Sequence, residues 1–122
     1  MTSPWQPAGG RELRVGLAGL GSMGRNHLRI LSGRTDLVLA AVADPVGAAL
    51  AVATSQTGAQ GFDEPLAMIA EADLDAVVIA APTTAHVPLA LAAIEHGIAV
   101  LVEKPLAATT DEAMRIVAAA RA

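Results

Sequence analysis

The stretch Leu13-Arg14-Val15-Gly16-Leu17-Ala18-Gly19-Leu20-Gly21-Ser22-Met23-Gly24 decides the fold. An apolar run of strand length, 13–18, leads straight into three glycines spaced G-x-G-x-x-G, and a segment of helical character follows from about Ser22. In such a strand-turn-helix each glycine has its own task. Gly19 permits the tight turn, Gly21 leaves no Cβ between the backbone and a pyrophosphate, and Gly24 lets the helix approach the strand. A helix beginning at Ser22 points its unpaired N–H groups and the positive end of its dipole at the phosphates. Twenty positions past Gly24, Asp44 closes a second apolar run, where a carboxylate would accept hydrogen bonds from the adenosine ribose hydroxyls.

Three glycines at this spacing are a weak signal by themselves. Three further requirements are met here: a strand before them, an amphipathic stretch after them, and an acid at the right distance. In the amphipathic stretch Leu28, Ile30 and Leu31 fall on one side and Arg25, Asn26 and Arg29 largely on the other. The segment therefore reads as a dinucleotide-binding βαβ unit.

With 122 residues the chain has the length of one domain able to bury its own core. Its composition is 53% hydrophobic but only 2% aromatic, so the core must be built from Ala, Val, Leu and Ile. Small branched residues of this kind suit a parallel sheet covered by helices on both faces. A net charge of −4 argues against a nucleic-acid or anionic-membrane partner. The absence of cysteine excludes a disulfide framework, a thiol nucleophile and a thiolate metal site. His27, His86 and His96 lack the spacing and carboxylate company of metal ligands, so no metal is expected. Residues 1–12, with Pro4, Pro7, Gly9 and Gly10 and no apolar run, read as a flexible leader rather than a targeting peptide, and a cytoplasmic location is expected.

Short apolar runs alternate with helix-length segments, the pattern of repeated βαβ units. The sequence predicts strands at 13–18, 37–43, 60–62, 76–81 and 98–102. Helices are expected at 22–32, 46–56, 64–71 and 85–96, with a last one from about 110 that Thr109 and Glu112 would cap. Pro88 is placed in the first turn of its helix and Gly97 at the C-terminal end. Val87, Ala90, Leu91 and Ile94 form the buried face of that helix, and Met68 and Met114 are core filler. The stretch 76–94 has no charged residue and the length of a membrane span, but Pro82, Thr83, Thr84, His86 and Pro88 break it into a strand, a turn and a helix. The expected architecture is a doubly wound α/β Rossmann sheet of order 3-2-1-4-5, with a ligand crevice at the carboxyl edge between strands 1 and 4.

A second constellation, Glu103-Lys104-Pro105, follows the fifth apolar run. A lysine at the carboxyl end of a parallel strand lies beside the nicotinamide half of a bound dinucleotide. Together, Gly-Leu-Gly-Ser-Met-Gly-Arg-Asn-His, Ala-Val-Ala-Asp-Pro at 41–45, Ala-Pro-Thr-Thr-Ala-His at 81–86 and Glu-Lys-Pro at 103–105 resemble the amino-terminal domain of the Gfo/Idh/MocA oxidoreductases. These include glucose–fructose oxidoreductase and inositol dehydrogenase, and the resemblance covers 13–122.

The resemblance implies that Gly19, Gly21 and Gly24, with the amides around Ser22 and Met23, bind the pyrophosphate, and that Asp44 binds the adenosine ribose. Pro82 and Thr83 would line the dinucleotide path, and Glu103 would contact the nicotinamide-side ribose. Lys104 matches the family lysine that hydrogen-bonds the substrate oxygen and tunes the proton donor; taken alone it is equally a solvated lysine beside Glu103. His86 reads as structural, since a histidine at a helix start can satisfy nearby backbone. NAD is expected over NADP, because the Asp44 carboxylate would repel a 2′-phosphate and Pro45 supplies no compensating charge.

Family members continue into a sixth strand and a larger substrate domain carrying a catalytic Asp and His. The sequence stops at Arg121-Ala122. The expectation is a cofactor-binding domain, with sugar or polyol substrates acted on only when a second domain is supplied, and with self-association through uncovered surface. A redox-sensing or scaffold module, or the cofactor subunit of a split enzyme, is the alternative. A β-hydroxyacid dehydrogenase would share the glycine loop without Asp44-Pro45 or Glu-Lys-Pro.

Overall fold

Strict alternation of side chains along each strand sends neighbouring residues to opposite faces, and here both faces are apolar. In the computed structural model, which describes residues 12–102, nine elements follow in the order β1 (Leu13–Ala18), α1 (Ser22–Ser32), β2 (Leu37–Ala43), α2 (Gly47–Thr57), β3 (Gln60–Phe62), α3 (Pro65–Glu71), β4 (Ala76–Ile79), α4 (Thr83–Glu95) and β5 (Ala99–Val102). All five strands pair in parallel in the order β3-β2-β1-β4-β5. This is the expected doubly wound sheet, and the chain reverses its direction of travel between β1 and β4. The expected final helix, Thr109, Glu112 and Met114 lie outside the described residues.

Two cores sit on the two faces. Val15 and Leu17 of β1, Val42 of β2 and Val78 of β4 pack with Leu28 of α1 and Ala53 of α2. The intervening residues Ala18, Ala41, Ala43, Val77 and Ile79 pack on the other face with Met68 and Ile69 of α3 and Val87, Ala90 and Ala93 of α4. Gly16 makes room for this second layer, because a Cβ there would lie 2.4 Å from Leu74 Cδ1. Met68 is fully buried, as its periodicity indicated.

The boundaries differ from expectation mainly around β4 and α4. The strand ends at Ile79 rather than 81, and the helix begins at Thr83 rather than 85. Pro82 explains both, since its fixed φ, here −53°, makes it the N-cap of α4 and ends the extended run. Pro88 consequently stands inside the helix and not in its first turn, and it is exposed. Leu89 joins Val87, Ala90 and Ala93 among the buried residues, while Leu91 and Ile94 are partly buried. Ile30 is 51% exposed while Leu28 is buried, which corrects the expectation that they share a side: residues two apart on a helix do not face the same way. The uncharged stretch 76–94 divides into β4, a turn and α4, and no helix among the described residues is long and apolar enough to cross a membrane.

At the amino edge of the sheet, a cluster ties β1 to the start of β4. The Arg14 backbone N–H donates to the buried Asp75 carboxylate at 2.8 Å, while its guanidinium donates to the carbonyls of Asp73 (2.8 Å) and Ala72 (2.9 Å). Asp75→Ala would leave the Arg14 amide without this acceptor, a loss of about 1–3 kcal/mol. Chemical denaturation is expected to show that loss with nucleotide affinity unchanged, because the cluster lies at the edge opposite the glycine turn.

Candidate functional site

The carboxyl edge gathers the ends of β1, β2 and β4 around one turn. Gly19 leaves β1 with φ +103° and donates its N–H to the Ala43 carbonyl at 2.8 Å, which anchors the turn to the end of β2. A Cβ on Gly19 would lie 2.6 Å from Ala81 N, so the β4–α4 turn presses directly on the glycine turn. A Cβ on Gly24 would lie 1.9 Å from Gly19 O, so α1 rests against the same turn from the other side. Both glycines are demanded by the fold itself.

Gly21 differs. It is the N-cap of α1 with φ −71° and ψ −163°, extended backbone open to any residue, and a Cβ there would meet nothing within 4 Å. Folding gives no reason for glycine at this position. Beyond it, α1 starts with no side-chain cap and no acidic residue in its first turn, and its first intrahelical bond runs from Arg25 N–H to Gly21 O at 2.8 Å. The amides of Ser22, Met23 and Gly24 therefore have no intrahelical acceptor and present donors to an anion at the dipole's positive end. Met23 is 51% exposed and Ser22 is also exposed.

Asp44, at the end of β2, is buried, and its carboxylate bridges two loops. One oxygen accepts from Leu20 N–H at 2.7 Å and the other from Val46 N–H at 2.8 Å. These bonds hold the glycine turn to the β2–α2 turn before any ligand arrives. Each carboxylate oxygen keeps further acceptor capacity for a hydroxyl donor. Sequence reasoning missed the clasp on the two amides; the run Asp44-Pro45-Val46 signals the bond from Val46, since an aspartate commonly accepts from the amide two residues on, and nothing local signals the bond from Leu20.

Gly21, Arg25, Asp44 and Val46 share one cavity of about 780 Å³ that continues between α1 and α2 along Leu28 and Val52. Its volume falls within the range of small-molecule and cofactor sites, roughly 300–1,000 Å³. Pro82 and the backbone of Thr83 stand across the glycine turn, at the start of α4. The structure thus brings together the three glycines, Ser22, Met23, Asp44 and the Pro82–Thr83 turn at one edge, where the Rossmann arrangement places its ligand. Glu103 and Lys104 lie outside the described residues.

His86 is buried, with its Nε2 2.8 Å from the Ala81 carbonyl oxygen, in keeping with its structural reading. His96 caps α4 and its Nδ1 lies 2.8 Å from the Ala92 carbonyl oxygen. Among the described residues no group of three or more His, Cys, Asp or Glu side chains could hold a metal ion.

Residues 13–122 match the family model described as an oxidoreductase family with an NAD-binding Rossmann fold, Gfo/Idh/MocA. The chain belongs to this family. It is 46% identical over 114 residues to inositol 2-dehydrogenase 4 of Saccharopolyspora erythraea, covering 89% of this chain and 33% of that protein. To an inositol 2-dehydrogenase of Corynebacterium glutamicum it is 38% identical over 109 residues, covering 88% and 32%. Among solved structures, the WlbA dehydrogenase of Chromobacterium violaceum in complex with NADH and UDP-GlcNAcA superposes with a TM-score of 0.87 at 32% identity, over 94% of this chain and 34% of that one. Myo-inositol dehydrogenase of Lactobacillus casei, in complex with NAD(H) and myo-inositol, gives a TM-score of 0.82 at 30% identity, over 89% and 33%. The chain spans about a third of the length of these Gfo/Idh/MocA relatives.

Proposed function

We propose that this chain is the NAD-binding part of a dehydrogenase that oxidises a CH–OH group of a sugar or cyclic polyol. The carrying observation is Gly21, a glycine with no folding requirement, set beside the open amides of α1 and the buried Asp44 carboxylate. A bound anion explains that glycine, and packing does not. The amides around Ser22 and Met23 hold the pyrophosphate, and Asp44 holds the adenosine ribose with the acceptor capacity left after its two amide bonds. Pro82 and Thr83 line the path toward the nicotinamide.

NAD, when bound, supplies the hydride acceptor. Glu103 contacts the nicotinamide-side ribose, and the Lys104 ammonium stabilises negative character as it develops on the substrate oxygen. The inositol dehydrogenases among the relatives support a polyol as the substrate class. Holding substrate and cofactor in reactive geometry needs walls on both sides of the reacting carbon. Residues 13–122 therefore bind nucleotide without efficient turnover until a substrate domain is supplied.

Calorimetric titration with NADH and NADPH tests the reading. NADH is expected to bind at least about tenfold more tightly, a difference of about 1.4 kcal/mol, because a 2′-phosphate would meet the Asp44 carboxylate. Asp44→Ala should weaken NADH and narrow the gap. Equal affinity for both nucleotides in the unaltered chain would contradict the role given to Asp44.

A further inference from the structure

The β4–α4 turn has to be held in place by something other than its own cap. Pro82, the N-cap, has no N–H to donate and no side-chain oxygen to accept from the first helical amides, and α4 starts without a side-chain cap. Helices often fix the entry of the chain by a contact between the residue before the cap and the fourth helical residue, usually two apolar side chains. In α4 those positions are Ala81 and His86. A methyl group at Ala81 gives an apolar partner little to grip, and a hydrogen bond stands in its place. His86 Nε2 lies 2.8 Å from the Ala81 carbonyl oxygen, and the ring is 1% exposed. A carbonyl oxygen can only accept, so Nε2 carries the proton and donates it.

Ala81 is also where the two halves of the site touch. The position of a Cβ on Gly19 lies 2.6 Å from Ala81 N and 2.7 Å from Ala80 O, so the turn and the glycine loop are in direct backbone contact. The next residues, Pro82 and Thr83, are those assigned to the dinucleotide path. A shift of Ala81 would therefore move both the wall of that path and the seat of the pyrophosphate loop.

We propose that His86 is a positioning residue for the nucleotide site: its Nε2–H bond to the Ala81 carbonyl sets the β4–α4 turn against the glycine loop in the geometry that accepts NAD. The inference rests on the NAD-binding reading above. It adds to it a buried residue that acts through the backbone of the turn.

The test compares His86→Gln with His86→Leu in the full chain, by calorimetric titration with NADH alongside thermal unfolding. Glutamine can place an amide N–H where the imidazole Nε2 lies; leucine fills similar space and donates nothing. His86→Gln is expected to bind NADH within about threefold of the unaltered chain, and His86→Leu at least about tenfold more weakly, whatever each does to the melting temperature. A folded His86→Leu with unaltered affinity overturns the proposal. So does equal weakening in both folded variants, which would make the ring a matter of shape alone. If the leucine variant does not fold, the glutamine variant decides by the same threefold criterion. If neither folds, nitrogen-15 spectra of His86 in the unaltered chain decide: the Nε2–H form supports the proposal and the Nδ1–H form overturns it. If the unaltered chain itself takes up no NADH, the NAD-binding reading fails first, and the tautomer still reports on the bond to Ala81.

Discussion

Gly24→Ala is expected to unfold the domain at temperatures where the unaltered chain is fully native. The added Cβ would sit 1.9 Å from Gly19 O and 2.6 Å from Gly19 C, and both are backbone atoms of a turn already pressed by Ala80 and Ala81 from the other side. Nothing flexible is available to yield, so α1 must lift off the turn. Lifting α1 also pulls Leu28 out of the core it shares with Val15, Leu17 and Val42. Overpacking alone costs about 1–3 kcal/mol and more where backbone must move, so a loss of at least about 3 kcal/mol is expected. For a domain of this size that is a fall in melting temperature on the order of 10 °C or more, read by circular dichroism. A melting temperature within a degree or two of the unaltered chain would mean that α1 does not rest on the Gly19 turn as described.

Gly21→Asp is expected to do the reverse, holding or raising stability while abolishing nucleotide binding. Its backbone conformation suits any residue, and there is open space for a side chain. Aspartate is among the best N-cap residues, and α1 lacks both a side-chain cap and an acidic residue in its first turn. The gain over glycine should be a few tenths of a kcal/mol. The same carboxylate would take the amide donors assigned to the pyrophosphate and set a negative charge against it. Like charges in such contact cost several kcal/mol, so NADH affinity should fall on the order of 100-fold or more. Opposite signs for stability and binding separate a ligand-shaped glycine from a fold-shaped one only two or three residues away.

Much of this could be read directly from the residues. The parallel sheet follows from alternating apolar runs and its strand order from the glycine fingerprint, and Gly19, Gly24 and Asp44, just past β2, stand where their spacing places them. Other features departed from expectation, some for local reasons and some because they depend on tertiary contacts. The early start of α4 depends on Pro82 ending β4, whereas the apolar period that marks the helix begins only at Val87. Ile30 is exposed because it stands two residues from the buried Leu28, and residues two apart on a helix fall on opposite sides, so the helical period itself argues against placing both on one face. The Asp44 carboxylate reaches back 24 residues to Leu20 N–H, and the His86 ring reaches the Ala81 carbonyl; partners of this kind are set by how turns meet, not by local pattern. Glu103 and Lys104, the residues nearest the proposed redox chemistry, are known here from their motif alone.

In the proposed reading the nucleotide is held at the carboxyl edge by the first turn of α1 and by Asp44. Amide chemical shifts of the nitrogen-15-labelled chain, followed as NADH is added, test it most directly because they report location as well as affinity. The largest shifts are predicted at the amides of Gly21, Ser22, Met23 and Val46, saturating together, with Arg14 and Asp75 at the opposite edge unmoved. Saturating shifts confined to the lower part of the α1–α2 cleft, around Ser32 and Thr57, or none at millimolar NADH, would contradict it.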